Sequence, residues 1–228
     1  MKKSYIKGEK MDLDQQINKN VVKIKVKLSS YSINPIKSMW SAARNCYYRG
    51  DFCDLEKTYV HEKAVDLLKR ITKRGHLSIL EQCFFQFQIS GISRSCLAQF
   101  TRHRVGWTFA VQSQHYQKHD DFTYKDLEKY IDNKHKKEYY DLMEQINKFY
   151  KKSFENEIPR YMAREVLPNS TSVHLVAAAN LSSLRHFWAL RIAKGNTPEI
   201  RKMAFMMYNT VINKFPDIST ILQTNYGV

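Results

Sequence analysis

From residue 21 to 28 apolar and polar side chains alternate, with Val22, Ile24, Val26 and Leu28 set against Lys23, Lys25 and Lys27. A period of two puts these sets on opposite faces, which predicts a half-exposed strand. Asn34-Pro35 ends it, because proline has no N–H to give a ladder, and a helix is expected over residues 36–47. Residues 56–74 then repeat Val60, Ala64, Leu67, Leu68 and Ile71 along one helical face, and Gly75 stands where a helix would stop. Phe85, Phe87 and Ile89 alternate again and predict a strand over 83–89. Ser93 is placed to cap a helix over 94–104. Residues 125–155 carry Leu127, Tyr130, Tyr139, Leu142, Ile146 and Tyr150 at helical spacing among many Lys and Glu, which predicts a long solvated helix or helical hairpin. A short strand is expected over 172–179 and a helix over 181–192. Another helix should run over 199–215, opened by Thr197 as cap and Pro198 in the first turn.

These elements predict an α+β fold with a central sheet and packed helices. At 228 residues the chain can bury one good core, and no linker or composition break divides it, so a single domain over 21–228 is expected. Residues 1–20 show no periodicity and several Lys, and read as a basic N-terminal extension. Hydrophobic residues at 43% and charged ones at 26% exclude a disordered chain. No apolar run is long enough to span a bilayer or form a signal core, so a cytoplasmic protein without a membrane partner is expected.

Cys46, Cys53, Cys83 and Cys96 have neither paired metal spacing nor disulfide density. Buried reduced thiols and no metal site are expected. The net charge of +15 favours anionic partners, whether nucleic acid, acidic membrane or phosphorylated small molecules. Much of it is Lys on solvated stretches, so charge alone does not choose among them.

Arg102, His103 and Arg104 sharpen the choice. Arginine offers a planar fork of donors matched to phosphate, and histidine donates, accepts or titrates near neutral pH, so the trio suits a phosphorylated ligand. A solvated basic helix end would carry the same residues. Arg-His-Arg at 102–104, a spacer, and then Ser113-Gln114-His115-Tyr116 resemble the motif of the flavin-dependent thymidylate synthases, Arg-His-Arg, seven residues, Ser, often continuing to Arg-Tyr. Here eight residues intervene, and His115 stands in place of the Arg. Other segments resemble the same family in the same order. They are Ala-Ala-Arg-Asn-Cys-Tyr at 42–47, Gly-His-Leu-Ser-Ile-Leu-Glu at 75–81, Ala-Arg-Glu-Val-Leu-Pro at 163–168, Asn-Leu-Ser-Ser-Leu at 180–184, and Leu190-Arg191 followed by Glu199-Ile200-Arg201. The resemblance covers roughly residues 22–205 and is weakest over 117–157.

The resemblance implies a domain of the flavin-dependent thymidylate synthase type that methylates a pyrimidine deoxynucleotide at C5, turning dUMP into dTMP. FAD is the implied cofactor, with NADPH and 5,10-methylenetetrahydrofolate as co-substrates. The implied assembly is a homotetramer with active sites shared between subunits. Arg191 matches the family's catalytic Arg, a fixed cation beside the N3/O2 edge of the ring that stabilises the ring anion. His76, Ser78, Arg102, His103, Arg104, Asn180, Ser182 and His186 fall on flavin-binding positions. Gln99, Arg102, Val111, Gln112, Ser113, Gln114, His115, Arg164 and Arg191 fall on nucleotide-binding positions. Ser113 could be a nucleophile by residue type alone, but no Ser-His-Asp order accompanies it, so it reads as a hydrogen-bonding group.

Four positions depart from the family pattern: Ser182 replaces an Arg, His186 an Asn, Val111 a Gln or Glu, and His115 an Arg. Altered ligand preference or weakened activity is the expected consequence. The remaining alternatives are a related flavin enzyme acting on another pyrimidine nucleotide, a non-catalytic nucleotide-binding paralogue, and a basic nucleic-acid-binding protein, with nucleic acid the less favoured partner.

Overall fold

The protein is described from a computed structural model, in which residues 20–114, 122–127 and 132–224 are placed. The N-terminal extension, except its last residue, and His115 therefore lie outside the described residues. The elements in chain order begin with β1 (Val21–Val22) and β2 (Lys25–Tyr31) and continue with helices α1 (Pro35–Asn45), α2 (Phe52–Lys57) and α3 (His61–Lys73). A 3-10 turn over Ser78–Gln82 leads into β3 (Phe84–Ser93), α4 (Arg94–Phe100), β4 (Trp107–Val111) and β5 (Tyr124–Lys125). The chain ends with α5 (Asn133–Glu155), α6 (Arg160–Ala163), β6 (Ser172–Asn180), α7 (Leu181–Arg191), α8 (Pro198–Lys214) and α9 (Asp217–Leu222). Strands form a four-stranded sheet in the order β2-β3-β6-β4, and β1 pairs in parallel with β5.

Contacts group the chain into two compact units. Among the described residues the first unit takes in 20–24, 90–97, 111–114, 122–127 and 132–174. Its core is Phe122, Tyr124, Met143, Tyr150 and Ala163, with Val21, Ile146 and Phe154 packed around them. Of the stripe expected along residues 125–155, Tyr139, Ile146 and Tyr150 lie on the inner face of α5, whereas Leu142 is exposed, Leu127 precedes the helix and Tyr130 lies outside the described residues; the helix starts only at Asn133, where the Asp132 carboxylate caps the His135 N–H. The second unit takes in residues 25–89, 98–110 and 175–224. Met39, Leu55, Leu68, Leu80, Phe85, Phe87, Phe100, Phe187, Trp188, Met203 and Met207 are all buried in it. At ~1.5–3 kcal/mol for each large apolar side chain removed from water, this set dominates the unit's stability.

Several expected elements change shape for identifiable reasons. The strand over 21–28 is interrupted at Lys23-Ile24, where the Lys23 carbonyl lies against Gly91; a Cβ there would collide with it, and Gly91 has φ +74°. The helix over 56–74 is two helices, because Thr58 turns its hydroxyl onto the Leu55 carbonyl at 2.8 Å and β-branched Thr58 and Val60 flank the break. Gly75, at φ +86°, ends the second of them as expected. The cap at Ser93 is present, its hydroxyl accepting from the Cys96 N–H at 3.0 Å, but the helix stops at Phe100 instead of 104. β4, β5 and α9 are additions to the expected set. Of the four thiols only Cys83 and Cys96 are buried, and Cys46 and Cys53 are exposed. Burial pushes the Cys83 thiol up to about 12, which makes it inert. No described group of His, Cys, Asp or Glu could hold a metal ion.

Candidate functional site

In the second unit α4 ends on Phe100, a buried ring that touches Trp107, Phe109 and Phe187 with centroids 5.0–5.1 Å away. This aromatic cluster anchors both ends of residues 101–106 and so fixes the loop carrying Arg102, His103 and Arg104. Gly106 closes the loop at φ +70° against Asn180 and Ser183, where no Cβ would fit. Ser183 also donates its hydroxyl to the Val105 carbonyl at 2.8 Å.

Arg191, at the end of α7, reaches that loop. Its Nε donates to His103 Nε2 at 2.8 Å, its Nη1 to Asn196 Oδ1 at 3.2 Å and its Nη2 to the Gln99 carbonyl at 3.3 Å. A guanidinium only donates, so His103 Nε2 must be the unprotonated ring nitrogen. The same ring packs edge-on to Phe187 and lies 6.4 Å from the His186 ring. Burial, reinforced by Arg191 and His186, lowers the His103 pKa to about 4. The Arg102, His103 and Arg104 trio is therefore two cations and a neutral imidazole. Arg102 and Arg104 are exposed, and neither has an ion-pair partner among the described residues.

Other predicted positions meet the same unit. Asn180 caps α7, its side-chain carbonyl accepting from the Ser183 N–H at 2.8 Å, which leaves its NH2 facing Gly106. Ser182 is half-buried, while His186, His76 and Ser78 are exposed. Gln99 is held by Thr197, whose hydroxyl donates to Gln99 Oε1 at 3.3 Å.

The first unit holds a separate cleft of about 90 Å³ lined by Arg94, Gln112, Gln114, Thr171, Ser172 and His174, among others. Gln112 and Gln114 are predicted nucleotide positions; Arg94 was not singled out by the sequence. Its Nη2 donates to the Gln112 carbonyl at 3.1 Å, while its Nε is buried without a partner among the described residues, as is Thr171 Oγ1. A buried guanidinium N–H without an acceptor is costly, so the cleft is built for a negative or strongly accepting group. Burial, and then the nearby Arg164 charge, lower the Arg94 pKa from its usual value. Arg164 also lies 3.6 Å from the Glu165 carboxylate. Val111 ends β4 and Ser113 follows Gln112 in the chain, both in this unit. The signal that could have marked Arg94 was its place beside the Ser93 cap, where a charged side chain enters a buried helix start.

The described helices include none long and apolar enough to cross a membrane. A family model described as thymidylate synthase complementing protein matches residues 27–217. A flavin-dependent thymidylate synthase of Clostridium tetani is 30% identical over 214 residues, spanning 86% of this chain and 85% of its own. The corresponding protein of Pyrococcus furiosus is 31% identical over 212 residues, spanning 88% and 83%. Among solved structures, a UMP/dUMP methylase from Streptomyces cacaoi, crystallised with 5-Br dUMP, matches with a TM-score of 0.76 and 22% identity over 89% of this chain and 96% of its own. This last likeness shows the fold, an α+β arrangement of sheet and packed helices as expected.

Proposed function

The chain belongs to the flavin-dependent thymidylate synthase family, and from that premise we propose that it methylates dUMP at C5 to give dTMP, with methylenetetrahydrofolate as carbon donor and NADPH as reductant. The observation that carries this reading is the fixed Arg191 guanidinium. Three of its donors are engaged by protein acceptors, and its remaining donors meet no acceptor among the described residues. A pyrimidine ring anion offers acceptors along its N3/O2 edge, and a cation that never loses its proton stabilises that anion and directs electron density towards C5. His103 stays neutral at working pH, so it accepts from Arg191 Nε without placing a second charge beside it.

The donor set fits a flavin. Arg102 and Arg104 are exposed cations suited to its phosphates, and the Asn180 NH2 suits a ring carbonyl; Ser78, His76, Ser182 and His186 are the further positions assigned to it. When bound, the flavin carries the electrons that the reaction passes on. Arg94, Gln112, Gln114, Ser113 and Arg164 are assigned to the nucleotide phosphate, whose oxygens would satisfy the orphaned Arg94 Nε. The assembly is proposed as a cytoplasmic homotetramer with shared sites, and residues 21–228 as one catalytic domain behind a basic extension.

One spectrum and one substrate panel test this. Purified protein should show oxidised-flavin absorbance, directly or after soaking with FAD. With NADPH and methylenetetrahydrofolate it should convert dUMP, and UMP and dCMP less well. A colourless preparation that makes no methylated product would overturn the reading, and faster turnover of UMP or dCMP would move it to another pyrimidine nucleotide. Tight, steeply salt-dependent binding of oligonucleotides without flavin would favour the basic nucleic-acid-binding alternative.

A further inference from the structure

We infer that Asn196 is a positioning residue for Arg191: it fixes the direction of the guanidinium without touching the substrate. The inference rests on the proposed role of Arg191 and starts from the end of α7. The last carbonyls of a helix lack intrahelical partners. Asn196 supplies one for Leu190, its Nδ2 donating to that carbonyl at 2.6 Å and to the Ala193 carbonyl just past the helix at 3.2 Å. Both amide hydrogens are thereby committed. The side-chain oxygen then has one direction left, and there it accepts from Arg191 Nη1 at 3.2 Å.

The orientation of this amide is unambiguous. Flipped, its NH2 would face the guanidinium, donor against donor, and its oxygen would face two carbonyls.

The same loop grips Arg191 a second way. Thr197, the next residue, holds Gln99 through its side chain, and the Gln99 backbone carbonyl accepts from Arg191 Nη2. Asn196 and Gln99 thus take one N–H from each terminal nitrogen, while His103 takes the Nε proton. With all three in place the plane of the guanidinium cannot rotate about its stem. Without Asn196, Nη1 loses its only protein acceptor among the described residues, and the charge stays while its aim loosens. Loose aim is costly in turnover, since even a 1 Å misplacement can cost on the order of a hundredfold.

The test is a double-mutant cycle on the full chain loaded with flavin, reading kcat and KM for dUMP together with the thermal midpoint. Asn196→Ala should lower kcat about tenfold while KM moves less than about threefold, the split expected of an interaction that matters only in the transition state. On the Arg191→Ala background the same change should cost nothing further, because the residue it aims is gone. Asn196→Ser, whose hydroxyl can still reach a helix-end carbonyl but not the guanidinium, should behave as Asn196→Ala does and serves if the alanine variant folds poorly. Equal losses of turnover in both backgrounds would make Asn196 a helix cap only and overturn the inference, as would an unchanged kcat in Asn196→Ala or Asn196→Ser. Wild-type turnover in Arg191→Ala would be a different failure, that of the role given to Arg191.

Discussion

Two half-buried arginines, one in each unit, are held to different ends. Arg191 spends donors on three protein acceptors and has its direction fixed by them. Arg94 gives one donor to the Gln112 carbonyl and keeps a buried Nε without an acceptor among the described residues, near the like charge of Arg164. A satisfied guanidinium is a fixed electrostatic tool, costly to build but ready before the substrate arrives. An unsatisfied one is a binding site whose last hydrogen bond the ligand must bring. Transition-state stabilisation is therefore expected from the first and ground-state affinity from the second, and the two should separate cleanly in kinetics.

The separation is broken or sharpened first at Arg191. Arg191→Ala should cost roughly a hundredfold or more in kcat, the scale of losing a preorganised charge, with the fold intact by circular dichroism. Arg94→Met keeps the apolar stem and should instead weaken dUMP binding by about tenfold to a hundredfold, the worth of one charge-assisted hydrogen bond, leaving kcat at saturation near wild type. Deoxyuridine, which lacks the phosphate, should bind both proteins alike in calorimetry; an equal loss for the nucleoside would remove the phosphate from Arg94. A smaller change is expected at Ser113→Ala, about tenfold or less in dUMP affinity for one neutral hydrogen bond. Complete loss of turnover there with affinity preserved would mean that Ser113 is a nucleophile.

The smallest expected effect is on stability against pH. His103 titrates near 6.5 when unfolded and at about 4 when folded, so between those values the unfolded chain binds the extra proton. Its contribution is fully present above the unfolded value and is lost as pH falls through that window. The thermal midpoint should drop between pH 6.5 and 4, and His103→Gln should reduce the drop. An identical profile in the variant would place the acid sensitivity elsewhere.

Much of the helical layout was legible because it depended on short-range chemistry. Asn34-Pro35 opens α1, Gly75 closes α3, Ser93 caps α4 and Pro198 opens α8, all readable from a few neighbouring residues. What escaped depended on distant partners. The break in the first strand lies against Gly91, far along the chain, and β4 has only five residues, too few for the alternation of Trp107 and Phe109 to separate strand from loop. Arg191 was legible through its flanking motif, but Asn196 was not, since nothing in a loop Asn reveals which carbonyls will claim its amide. The state of His103 is hidden for the same reason: a ring that could donate, accept or carry charge between two arginines becomes a neutral acceptor only once Arg191 arrives from 88 positions away.

Asn180 carries a consequence for selectivity. Its side-chain carbonyl is spent on the start of α7, and its NH2 lies against Gly106. Should the flavin reach this NH2 as proposed, Asn180 would be polar in one sense alone: it would reward a carbonyl, an ionised ring nitrogen or a phosphate oxygen and penalise an N–H at the same spot. Tautomers and ionisation states of one molecule that differ only in that proton would then be sorted by a residue that never changes its own.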